Sequence, residues 1–580
     1  MNYFIYFIQY LLLISLFVIY LTVTGWRWQE GLVLNKSFAF RVSSAFFIGV
    51  SAFLFLFGLS ELIIDNARYS AVFSILLLSP FVFYRTDFRI LLNNQIKIII
   101  SYIFLVSITF LTLINSPKPD DNILNNIEAI NPLHTVSLVA HSLRAGNLSI
   151  YIDEENKLPR VSQNFTQSIL ASLPSLVGFK SPQLGLSLWH GLLIGFIYLL
   201  VYGYFRKKFN RYLSAFAALA LMFANTTFSS VYVRTVDVGS TLILIRSVDV
   251  LFGLGALFIT VIILENIYSH KNILYIDDKS NNLLKKRPFY AVISIFFVFG
   301  FSLHGVGSQY VLIIIAILFL ALIYFFYHQS RNRFAIGILL FIFLFGAGVG
   351  VFQGGTLLPA KYGEKEKIHG MLKLENDSGR PFAWRTPWVL ADTPGLENED
   401  NNYIKLERSP PKLFKATDDT VDKLYKSAKH FILTLNYLTI PILGIIFYGL
   451  TFRYSKDIFC REYSLTYITS VCLLVFGIFI ASFFYMYWRV WELTRFLYPG
   501  IFFGILLFVT ATFSPPKAFL NSKFALLVKV FILIMVIMGP VKHYSGIIKD
   551  GGINDVVSGQ YFDSNRIKVL IEINEMAKGE

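Results

Sequence analysis

The sequence predicts an all-α polytopic membrane protein of about 13–14 transmembrane helices, with outer-side loops and an interfacial helix near 165–179. Three observations predict it. The 580 residues are 55% hydrophobic and only 15% charged, with a mean hydropathy of +0.59, and a soluble chain of that length needs far more polar surface. The apolar stretches are helical in length and apolar all round, without the alternation of a membrane barrel. The basic residues gather in the short connections between those stretches, where they set topology.

Taken in order, apolar runs over 4–22, 44–61, 70–84 and 98–115 form an N-terminal group of spans, 1–115. The first run is followed by no small-residue cleavage site, so it reads as an uncleaved signal anchor. A polar stretch, 116–183, comes next as an outer loop with interfacial helices. It contains NPLHTVSLVAHSLRAGN and then the short apolar run FTQSILASLPSLVGF. Runs over 184–205, 212–227, 249–268, 289–303, 307–327 and 335–352 make a central group, 184–352. The 353–429 segment, which includes WRTPWVLADTPG, is too long and polar for a plain connector and reads as an outer-side loop or small domain. Runs over 431–450, 465–487, 496–513 and 524–541 make the C-terminal group, 430–541, and 542–580 is a tail.

Charge orients these spans. The basic connections are Arg27/Lys36/Arg41, Arg85/Arg89/Lys97, Arg206/Lys207/Lys208/Arg211, Lys285/Lys286/Arg287, Arg331/Arg333, Arg453/Lys456/Arg461 and Lys517/Lys523. All fall on one side only if the chain starts outside and 165–179 does not cross. That segment is short for a span and holds Pro174, so it reads as re-entrant or interfacial. Both termini are then expected outside. The richness in Ile, Asn, Lys and Phe favours an AT-rich genome and a bacterial inner (plasma) membrane.

Several classes are excluded. Two cysteines, Cys460 and Cys472, make neither a disulfide framework nor a zinc ribbon. The net charge of +15 sits in loops between spans, so nucleic acid is not an expected partner. No Gly-rich phosphate loop, HExxH motif or nucleophile elbow occurs. The GAGVG at 346–350 lies in a span and reads as close helix packing. His134 and His141, seven apart, share a helix face but lack a third ligand, so they do not indicate a metal site; the cofactor is left open, a divalent metal included.

Charges at the membrane edge are costly and worth explaining. VRTVDVGSTLILIRSVDV repeats an Arg three residues before an Asp, at Arg234/Asp237 and Arg246/Asp249. These are either interfacial ion pairs or a carboxylate facing an outer cavity beside an anion-binding cation; Asp249 starts a clean span. WRVWELTRFLYP at 488–499 sets Arg489 and Arg495 among two tryptophans and Tyr498. An aromatic belt explains the tryptophans, whereas outer-side arginines suit bidentate recognition of phosphate.

The order of these motifs resembles the GT-C superfamily of polyprenyl-phosphate-dependent glycosyltransferases, of the aminoarabinose-transferase and protein O-mannosyltransferase type. That family has an outer loop with an acidic motif, a helix ending in glycine, a short apolar stretch with a Lys-Pro-Pro-Leu-like start, and a span capped by basic residues. Here stand Asn131-Pro-Leu-His134, AHSLRAGN with Gly146, Asn164-Phe-Thr-Gln167-Ser-Ile-Leu, and a span closed by RKKFNR. SVDVLFGLGALF with Asp249 is similar to the family's Asp at the head of a later span, and Arg495-Phe-Leu-Tyr-Pro499 to its Arg-Tyr-x-x-Pro signature. The resemblance covers roughly 128–268 and 488–513. Asn131 stands where the first acid is expected, and the Lys of the Lys-Pro-Pro motif is absent, with Gln163 or Gln167 nearby.

The resemblance implies a sugar leaving a polyprenyl phosphate as an acceptor attacks its anomeric carbon. A carboxylate takes the acceptor proton, with Asp249, Glu128, Asp120 or Asp121 as candidates. Cations stabilise the departing phosphate, implying Arg489, Arg495 or Arg246, with Tyr498 beside them. His134, His141 and Gln167 would line the acceptor site or groove. The implied partners are membrane lipids, the lipid-linked sugar, and a lipid, glycan or protein acceptor. Two other readings stay open: a transporter or flippase for a lipid-linked or anionic substrate, and a polysaccharide polymerase or ligase using 353–429.

Overall fold

The computed structural model describes residues 2–32, 37–64, 66–83, 139–140, 143, 165–178, 182–224, 248–269, 283–304, 308–328, 333–351, 361–362, 367–368, 382–384, 438–453, 464–486, 496–513, 526–527 and 529–534. It is almost wholly helical. In chain order the helices are α1 (Asn2–Leu32), α2 (Phe38–Ile64), α3 (Ala67–Phe83), α4 (Phe165–Ser172), α5 (Pro182–Phe205), α6 (Arg211–Phe223) and α7 (Val248–Ser269). They continue as α8 (Leu283–His304), α9 (Ser308–His328), α10 (Arg333–Val351), α11 (Thr439–Arg453), α12 (Ser464–Phe483) and α13 (Leu497–Phe513). Two small antiparallel pairs accompany them: β1 (Lys361–Tyr362) with β2 (Lys367–Ile368), and β3 (Phe382–Trp384) with β4 (Phe484–Met486).

Four described helices are long and apolar enough to cross a membrane, at Ile8–Trp26, Phe38–Glu61, Leu188–Phe205 and Val248–Ile267. The other apolar helices are shorter, among them Tyr290–Leu303, Tyr310–Tyr324 and Leu497–Phe513. Helices fall where the apolar runs predict them, except that the run at 465–487 ends as strand over Phe484–Met486, the run at 98–115 lies outside the described residues and 524–541 is described only in part.

α7 is the central helix. Every residue from Val248 to Ile267 is buried, which is what an all-round apolar helix requires. Phe47 of α2 closes over Gly255, Tyr310 of α9 over Gly253, and Phe258 meets Phe502 and Phe503 of α13. Beside it, α1 and α2 cross through Gly25 and Gly49. A Cβ on Gly25 would overlap the Ala45 carbonyl, and one on Gly49 the Leu21 carbonyl. Without lipid-exclusion energy to hold helices together, such backbone contact supplies the packing. Between α1, α2 and α5, Trp189 packs against Phe17 and Phe46, and Phe46 stacks on Phe196 with centroids 3.8 Å apart. Of the predicted GAGVG packing motif, Gly346 sits against the Phe297 backbone of α8, while a Cβ on Gly348 would meet no neighbouring element within 4 Å.

Packing sorts the helix termini into two ends. At one, Phe40 at the start of α2 lies on Gly203 near the end of α5. Phe209, just past α5, meets Phe513 at the end of α13, and Thr466 at the start of α12 reaches Glu265 near the end of α7. Arg41 and the cations from Arg206 to Arg211 lie here, so this is the basic end. At the other, Tyr10 of α1 donates to the Ala171 carbonyl of α4 at 3.4 Å, and Gly185 of α5 packs on both. Here too Gly253 of α7 meets Tyr310 of α9, and Gly477 of α12 meets the Phe496 carbonyl before α13. This is the polar end: it leads into 228–247, 352–438 and 487–495, and the β3–β4 pair ties the second of these to the edge of the third.

The 165–179 segment is helical only to Ser172. A 3₁₀ turn, Leu173–Val177, follows, and it is stopped by Gly178 at φ +92°, a conformation that favours glycine. The helix is buried among α5, α7 and α1 instead of lying on the surface: Thr166 and 168–175 are all buried. Its level is fixed by Ala171 meeting Gly185 at the polar end.

Candidate functional site

The site is built from the heads of helices at the polar end. Asp249 is the second residue of α7 and fully buried. The residues before it end the apolar periodicity, and a carboxylate in the first turn is stabilised by the partial positive charge of the helix N-terminus. One turn on, Gly253 leaves room for the Tyr310 ring, so the start of α9 closes over α7 beneath Asp249. Tyr498 holds the matching place on α13, second in its helix and 4% exposed. The Phe258 contacts with Phe502 and Phe503 hold α7 and α13 side by side. Their ends meet the α5–α6 turn (α13 through Phe209, α7 through the influence of Lys207 and Lys208 on Glu265), so the two helices run in the same direction and both heads lie at the polar end.

α4 and α5 add hydrogen-bonding groups at that end. The Thr166 and Ser168 hydroxyls and the Trp189 indole N–H are buried without a hydrogen-bond partner among the described residues. Buried polar groups are nearly always satisfied, so these three are available to a polar ligand or to water. Gln167 belongs to α4, between Thr166 and Ser168 in sequence. Among the described residues no three His, Cys, Asp or Glu side chains converge as metal ligands.

The structure therefore brings Asp249, Tyr498 and the helix bearing Gln167 to one end of the bundle. Glu128, Asp120, Asp121, His134, His141, Arg246, Arg489 and Arg495 lie outside the described residues. Arg246 stands three positions before Asp249, and Arg495 three before Tyr498.

Two buried carboxylates escaped the sequence reading. Glu61 of α2 is 1% exposed near the polar end. Glu265 of α7, 6% exposed, accepts a hydrogen bond from the Thr466 hydroxyl and feels the positive charges of Lys208 and Lys207. The signal for both was present: each interrupts an apolar run, where a charge is expensive.

Compared with models of known families, with curated proteins and with solved structures, the chain matches none.

Proposed function

We propose that the protein is an integral membrane glycosyltransferase of GT-C type. It moves a sugar from a polyprenyl-phosphate-linked donor to a lipid, glycan or protein acceptor on the outer face of a bacterial inner (plasma) membrane. In this reading it has about 13–14 spans, both termini outside, and its polar end facing out.

The observation that carries the reading is Asp249. A carboxylate heads the most deeply buried helix of the bundle, at the end from which the long polar segments leave. Ionisable groups in such positions are rare unless they are used. The acceptor hydroxyl or amine attacks the anomeric carbon, forming the new glycosidic bond. The bond from that carbon to the phosphate oxygen breaks, and its electron pair leaves with the polyprenyl phosphate. Asp249 accepts the acceptor's proton, while Arg495, Arg489 or Arg246 meets the phosphate charge as it develops. Glu128, Asp120 and Asp121 are the other carboxylates of the outer loop able to serve as base, and His134, His141 and Gln167 would line the groove. The open hydroxyls of α4 suit the many oxygens of a sugar.

A glycan profile of a deletion strain tests this. Loss of one sugar, restored by the wild-type gene and not by Asp249→Asn at equal protein level, is the expected result. Loss of chain length would favour a polymerase or ligase, and internal accumulation of a lipid-linked precursor a flippase.

A further inference from the structure

The turn between α5 and α6, at the basic end, concentrates charge to a degree that topology alone does not need. Arg206, Lys207, Lys208 and Arg211 fall within six positions. The turn is rigidly built. Arg206 Nη1 donates to the Phe209 carbonyl at 2.8 Å, the Asn210 side chain accepts from the Leu213 N–H at 2.9 Å as an N-cap, and Phe209 is buried against Phe205 and Phe513.

The four cations divide their attention. Lys208 lies over the Tyr204 ring at 4.8 Å, and both lysines act on buried Glu265. Arg206 and Arg211 are exposed. The Arg211 guanidinium rests 4.6 Å over the ring of Tyr212, and each arginine keeps most of its five N–H donors for another acceptor. Directly along α6 from that stack, Tyr212, Phe216 and Leu219 are 70%, 47% and 38% exposed. They recur at i, i+4 and i+7, so they form one outward stripe about 10 Å long. The opposite face, with Ser214, Ala217, Ala218, Ala220 and Leu221, is buried in the bundle.

We propose that this elbow is a binding site for an anionic phospholipid, with the headgroup phosphate on Arg206 and Arg211 and an acyl chain along Tyr212, Phe216 and Leu219. The occupant follows from the pairing of the two features. A soluble polyanion would use the arginines and leave the stripe bare, and a zwitterionic lipid would use the stripe and gain little from two guanidinium groups. An anionic lipid uses both. The site is independent of the glycosyltransferase reading, since it lies at the opposite end of the bundle from Asp249.

Native mass spectrometry of the purified full-length protein tests it, with phosphatidylglycerol and phosphatidylcholine of identical chains as probes. The wild type is expected to retain phosphatidylglycerol about thirtyfold more strongly, the preference two surface arginines supply. Arg206→Gln with Arg211→Gln is expected to abolish the preference at an unchanged melting temperature, while Arg206→Lys with Arg211→Lys keeps part of it. Tyr212→Ser with Phe216→Ser is expected to weaken both lipids and leave the preference. Equal retention by the wild type, or a preference that survives loss of both arginines, overturns the proposal. So does displacement of the lipid by equimolar inorganic phosphate.

Discussion

The two ends of α7 each hold one buried carboxylate, and they are held by different means. Asp249 and Glu265 are sixteen positions apart on this helix, about 24 Å along its axis. Asp249 is in the first turn, where the helix itself favours negative charge. Glu265 is in the last turns, where the helix disfavours it, and there the fold supplies the Thr466 hydroxyl and the charges of Lys207 and Lys208. On the proposed function, the comparison separates two uses of an expensive residue. Glu265 is tied to α12 and to the α5–α6 turn and serves as a joint between elements. Asp249 stands in the first turn, at the end where the polar segments enter.

Substitutions at the two ends should therefore fail differently. On the proposed function, the largest effect is expected from loss of a cation that meets the phosphate: Arg495→Gln should lower transfer about 10²–10³-fold, the usual loss when one group facing developing charge is removed. Steady-state transfer by membranes containing equal amounts of protein measures it. At the basic end, Thr466→Val removes the donor to buried Glu265 and should cost roughly 1.5–3 kcal/mol of stability, seen as a lower melting temperature with transfer per folded molecule unchanged. A drop in transfer alone would break the division of roles. Tyr498→Phe should slow transfer about tenfold, the rate equivalent of one ordinary hydrogen bond, with melting unaltered. The smallest effect sharpens the packing half of the comparison. Gly348→Ala, facing open space, should stay within about 0.5 kcal/mol of wild type. Gly346→Ala, pressed on the Phe297 backbone, should melt measurably lower.

Much of the fold was legible because bilayer thickness and backbone hydrogen bonding leave few choices: an apolar run of sufficient length becomes a helix. Charge bookkeeping and Pro174 marked 165–179 as a segment apart from the spans, and its helix is only eight residues long, Phe165–Ser172. What the sequence hid was the burial of α4, because its covering surfaces on α1, α5 and α7 come from distant parts of the chain. Of the candidate site, the place of Asp249 at the head of a buried apolar helix was legible in the sequence. Glu265 was overlooked because its partners come from distant parts of the chain: Thr466, Lys207 and Lys208 adjoin it only after α5, α7 and α12 have packed. Glu61, at the end of the apolar run in α2, is buried as well.

The central claim is that Asp249 performs chemistry while Glu265 holds helices together. Its most direct test is single-turnover sugar transfer in proteoliposomes supplied with a polyprenyl-phosphate-linked donor, comparing Asp249→Asn with Glu265→Gln at equal amounts of folded protein. The account predicts a loss of at least about 10²-fold for Asp249→Asn with an unchanged melting temperature, and near-normal transfer for Glu265→Gln with a lowered one. Full transfer by Asp249→Asn would contradict it.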